Sequence, residues 1–98
     1  MKVIVRKAAQ DDLDRIAEWI AQDDPSAAGR MVAKIRDRIS FLETDELAHM
    51  GRPGLVQGTR ELIEYPYVIV YKVDDDKREA IVLAIFHGAQ YRDRRGSP

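Results

Sequence analysis

The chain has 98 residues, no cysteine and a formal net charge of −1, from 16 basic and 17 acidic side chains. A hydrophobic fraction of 45% and a charged fraction of 34% describe one soluble globular domain over 1–98, too apolar for disorder. Disulfide scaffolding, cysteine-ligated zinc and thiol catalysis are excluded, and the basic excess that usually accompanies phosphate binding is absent.

The opening Met1 to Arg6 holds only Val3-Ile4-Val5 before a charge, far short of a secretory apolar segment. No window is long enough to span a bilayer. A cytoplasmic protein without membrane contact is expected. Lys2 to Arg6 alternates and reads as a short strand. From Ala9 the apolar spacing becomes helical: Leu13, Ile16 and Ile20 share one face with Ala17, and Trp19 flanks it. Asp11 and Asp12 are then placed in the first turn, where they suit the helix dipole. Asp24-Pro25 stops this helix and starts another, a capping carboxylate followed by proline at the first helical position. Ala28, Met31, Val32, Ile35, Ile39 and Leu42 form the second stripe. Helices are predicted near 9–23 and 25–44, paired as an antiparallel hairpin that needs a third layer.

Gly51-Arg52-Pro53-Gly54 to Gly58 reads as a loop. Three strands follow, near 60–65, 67–73 and 79–87, divided by Pro66 and by a turn at Asp74 to Lys77. The last two are continuously apolar, as inner strands are. The predicted class is α+β, in the order β-α-α-β-β-β, a helical hairpin packed on a small, mainly antiparallel sheet. The segment 91–98 is basic, ends in Gly96-Ser97-Pro98, and is expected to leave the sheet as a flexible tail.

Three stretches carry a family resemblance. Asp12-Leu13 to Trp19-Ile20 is similar to a recurrent first-helix pattern. Gly51-Arg52-Pro53-Gly54 with Gly58-Thr59-Arg60-Glu61-Leu62 resembles a "GRPG…GTREL" loop and strand entry. Tyr67-Val68-Ile69-Val70-Tyr71 with His87-Gly88-Ala89-Gln90 resembles a "Y-x-(I/V)-x-Y" strand and an "HGA(R/Q)" ending. Together they resemble the ParE/RelE toxins of type II toxin–antitoxin systems. The resemblance implies a cognate antitoxin partner, with operator DNA contacted only through that antitoxin, and no cofactor.

The family divides by target. ParE-like members poison DNA gyrase by binding, which requires no catalytic set. RelE-like members cleave mRNA on the ribosome, which requires a base, a cationic phosphate clamp and an acid. The GRPG loop, the HGA ending and the near-neutral charge favour the ParE-like branch. The alternative, a ribosome-dependent mRNA endonuclease, would use Arg60, His87 and Tyr91. Arg52, Arg60, His87, Gln90, Tyr91 and Arg92 are the candidate contacts for target or antitoxin. Each has a plainer reading: Arg60 as an anchor for loop carbonyls or a partner of Glu64, and His87 as a structural strand-end histidine. His49 has no second metal ligand nearby, and Asp74-Asp75-Asp76 lacks the glycine and distal glutamate of a calcium loop, so no metal site is expected.

Overall fold

The computed structural model describes residues 1–90. Strand β1 (Lys2–Val5) leads into helix α1 (Lys7–Ala21), which starts two residues before the predicted position. Asp11 and Asp12 therefore fall outside its first turn, which carries no acidic side chain. Arg6 precedes it without a side-chain cap, so nothing in the local sequence marks the start. Helix α2 (Pro25–Ser40) begins as expected: the Asp24 carboxylate accepts the Ala27 N–H at 3.1 Å, with Pro25 at the first helical position. A 3-10 turn (Phe41–Glu43) and a short helix α3 (Asp45–Ala48) continue the chain beyond it.

The sheet is five-stranded, with β2 (Arg52–Pro53), β3 (Arg60–Glu64), β4 (Tyr67–Asp74) and β5 (Glu79–His87) added to β1 in the order β1-β5-β4-β3-β2. Three pairings are antiparallel, and β1 lies parallel to β5 with Val3 opposite Ala80. β2 is a two-residue addition in the stretch predicted as loop. The β4–β5 turn closes on the acidic triplet. Asp74 Oδ1 accepts the Lys77 N–H at 3.1 Å, and Arg78 takes a positive φ of 54°. The triplet is thus a hairpin turn.

Both helix stripes are spent against one face of this sheet. Ala9, Leu13, Ile35, Ile39 and Leu42 pack with Tyr67, Ile69, Tyr71, Ala80, Val82 and Ile85 in one core. Met31, Val32, Ile16 and Ile20 cover its margins. Val68 and Val70 point to the opposite face and are buried with Phe86. This two-sided burial is why β4 reads as a continuous apolar run. The helices therefore leave little apolar stripe for a partner. Exposed apolar surface lies instead at Trp19, Met50, Val56 and Tyr65.

Tyr71 joins the core to the loop. It is fully buried, and its hydroxyl donates to the Ala48 carbonyl at 2.7 Å while accepting the Gly51 N–H at 3.1 Å. Burial pushes its phenol pKa up, so the hydroxyl keeps its proton. Tyr71→Phe strands a buried carbonyl and a buried N–H, and should destabilise the fold by about 1–3 kcal/mol in urea denaturation. An unchanged midpoint would contradict this role.

Candidate functional site

The predicted contact residues fall at two ends of the molecule. At one end the Gly51 loop sits over β3 and β4. Arg60 is half-buried and donates from Nη1 to the Gly51 carbonyl at 2.9 Å. It anchors the loop, and Glu64, the alternative partner, pairs instead with Arg38 at 3.6 Å. Arg52 stands opposite Glu61 in the β2–β3 register, and its Nε donates to Glu61 Oε1. Glu61 is only 1% exposed, whereas the Arg52 side chain remains 55% exposed. Glu61 Oε2 has no hydrogen-bond partner among the described residues. A buried carboxylate with one cationic partner is stable only while that partner stays. Arg52 thus presents a guanidinium to solvent from a fixed base.

At the other end, a cleft of about 1030 Å³ opens between α1 and the ends of β4 and β5. Asp12, Arg15, Trp19, Tyr67, His87 and Gln90 line it. Trp19, at 71% exposure, stands out of the core on the cleft wall. Asp12 has two duties: it pairs with Arg15 and accepts the Ile85 N–H at 2.9 Å, which staples α1 to β5. His87 meets Tyr67 edge-on, ring centroids 5.5 Å apart at 84°. Burial raises the Tyr67 phenol pKa. His87 Nδ1 accepts the Ala89 N–H at 3.1 Å, so its neutral ring carries the proton on Nε2.

The nuclease constellation is not brought together by these elements. Arg60 lies opposite Tyr71 and His87 opposite Tyr67, four positions apart on β4, or roughly 13 Å along the strand. Arg60 is also occupied by the Gly51 carbonyl. Tyr91 and Arg92 lie outside the described residues. Among the described residues, no group of three or more His, Asp or Glu side chains could hold a metal ion, and no helix is long and apolar enough to cross a membrane.

Sequence reasoning singled out Arg52, Arg60, His87 and Gln90, but not Glu61, Asp12, Arg15 or the exposed face of Trp19. Glu61 gave no signal, because its burial depends on the two-residue β2 pairing. The position of Trp19 at the edge of the helical stripe was visible, and its exposure depends on how α1 is rotated against β5.

A helical hairpin over one face of a mixed five-stranded sheet is a fold of the ParE/RelE class of small toxins. The chain belongs to the ParE toxin family of type II toxin–antitoxin systems, parDE, whose family profile matches residues 3–91. It is 39% identical over 80 residues to Y4kP of Sinorhizobium fredii, a protein itself provisionally assigned as a toxin, covering 80% of this chain and 78% of that one. The structure is similar to a chain of the chromosomal ParDE toxin–antitoxin system from P. aeruginosa, with TM-score 0.76 and 26% identity over 89% of this chain and 95% of that chain. It shares its fold with a chain of the RelBE2 toxin–antitoxin complex from Mycobacterium tuberculosis, with TM-score 0.64 and 20% identity over 88% and 95% of the two chains.

Arg52→Ala should destabilise the fold by about 1–3 kcal/mol, because it leaves a buried, uncompensated carboxylate at Glu61. Adding Glu61→Gln removes that charge and should recover part of the loss. Denaturant midpoints of the single and double variants check this, and a double variant less stable than the sum of its singles would count against the pairing.

Proposed function

We propose that this toxin acts by binding rather than by cutting RNA, that DNA gyrase is its target, and that a cognate antitoxin chain neutralises it. The observation that carries the reading is the separation of Arg60 from His87, with Arg60 committed to holding a loop. A metal-free ribonuclease needs its base, acid and phosphate clamp within reach of one phosphodiester. A binding toxin needs only a rigid surface. The net charge of −1 points the same way, because a ribosome-directed protein gains affinity from a basic surface. The gyrase assignment rests on membership of the ParE family, and the antitoxin on the toxin–antitoxin systems to which the similar structures belong.

The proposed binding surface comprises the cleft end, with Trp19, Arg15, His87 and Gln90, together with Arg52 at the loop end. Tyr91 and Arg92 continue from Gln90 and remain candidates from sequence. The antitoxin covers the exposed apolar residues and buries more than ~1,000 Å² in total, as specific stable complexes do. Operator DNA is contacted through the antitoxin, and the pair resides in the cytoplasm.

The test is direct. Purified toxin is added to gyrase with relaxed plasmid and ATP, and to a translating ribosome extract with reporter mRNA. Inhibited supercoiling or trapped cleavage complexes, with intact mRNA, are the expected results. Codon-dependent mRNA cleavage with normal supercoiling would overturn the reading in favour of the nuclease. Neither effect would leave a chain that serves only in repression with its antitoxin. Trp19→Ala, at an exposed position, should leave folding intact and weaken gyrase inhibition by about tenfold, the size of a modest interface anchor.

A further inference from the structure

His49 is outside every role assigned above, yet both of its ring nitrogens are engaged. It follows α3, and its Nδ1 lies 2.7 Å from the Asp45 carbonyl oxygen. Its Nε2 lies 2.8 Å from Asp75 Oδ1, across the molecule in the β4–β5 turn. Both facing atoms are acceptors only. A neutral imidazole has one N–H and can satisfy one of them; an imidazolium has two and satisfies both. The geometry points to a proton-controlled latch, in which protonated His49 ties the Asp45–Arg52 segment to the β4–β5 turn.

The charges around the ring favour the closed form. The Asp45 carbonyl bond raises the His49 pKa most, and the Asp75 carboxylate adds to it. Partial burial and the Arg60 guanidinium, facing from β3, oppose it. The Asp45 carboxylate does not compete for the ring. It is held by Arg78 and, at 3.3 Å, by the Met1 ammonium, and Arg78 foremost keeps its pKa below the usual carboxylate value. The sign follows. With the folded pKa above the ordinary 6.5, the latch contributes fully below 6.5 and is lost as pH rises through the folded value. Titration near neutrality is what makes such a histidine a switch.

What the latch holds is the platform of the loop. The same segment places Ala48 and Gly51 on the Tyr71 hydroxyl, Gly51 on Arg60, and Arg52 on Glu61. Deprotonation leaves one N–H for two acceptors and ends the charge pairing with Asp75, which weakens one of the ties that fix the segment and so couples the presentation of Arg52 to pH. The His49 ring is 40% exposed and Asp75 is 72% exposed, so salt screens the pair and should weaken the latch.

The experiment is an NMR titration of the His49 ring in wild-type toxin and in Asp75→Asn, with amide exchange of Ala48 and Gly51 followed in wild type and His49→Gln. His49 should titrate above 6.5 in wild type and fall toward it in Asp75→Asn. After correction for intrinsic exchange, Ala48 and Gly51 should lose protection severalfold as pH passes the His49 midpoint, and His49→Gln should abolish that dependence. A wild-type His49 midpoint at or below 6.5, a midpoint insensitive to Asp75→Asn, or protection that follows pH equally in His49→Gln would each overturn the latch.

Discussion

The hydroxyl of Tyr71 is the point on which the loop end of the molecule depends. It is a single oxygen in a fully buried position, and it satisfies one carbonyl and one N–H of a segment some twenty residues away in sequence. Without it, the chain leaving α3 would have to bury two unpaired backbone groups, which is costly enough to move the loop instead. The close approach explains the first glycine of the GRPG stretch. A Cβ at position 51 would collide with the phenol, lying 2.8 Å from Cζ, so a larger residue would push the backbone off its acceptor. The arrangement of Arg52 on Glu61 and Arg60 on the Gly51 carbonyl follows once that backbone is fixed.

The two ends of the sheet then differ in kind. The loop end is a tied network in which Arg52 and Arg60 are used for structure, and of these Arg52 keeps much surface. The cleft end is less committed: an exposed indole, an ion-paired guanidinium, a histidine that accepts the Ala89 N–H and the Gln90 amide surround open space. Such a mixture suits recognition of another protein, since exposed Trp and Arg are the side chains that anchor interfaces. Among the described residues it shows no oriented acid–base pair.

Much of this fold was legible in the sequence, for local reasons. The 3.6-residue spacing of Ala28, Ile35 and Ile39 and the Asp24-Pro25 start depend only on neighbours along the chain, and α2 begins where they place it. The continuous apolar runs of β4 and β5 report burial on both faces, and both strands are inner ones, β5 because β1 joins it. What the sequence did not reveal is set by contacts between distant residues. The start of α1 has no cap to mark it, β2 exists only because Gly51 is held over Tyr71, and the burial of Glu61 follows from β2. Arg60 was legible as a motif residue that could anchor a loop carbonyl, which it does at Gly51, whereas the burial of its motif neighbour Glu61, the more buried of the two, was not. At the candidate site, residue types were readable and their grouping was not. Arg60 and His87 stand in motifs that the fold places on different neighbours of β4, four positions apart along it.

The central claim is that a buried phenol holds the loop as a fixed platform. The amide hydrogen of Gly51 reports on it directly, because its acceptor is the Tyr71 hydroxyl itself. Native-state hydrogen exchange should show this amide opening only with a free energy close to that of the β4 core, even though it lies in a glycine-rich loop. Exchange of Gly51 at the rate of an unprotected loop amide, with β4 still protected, would contradict the account.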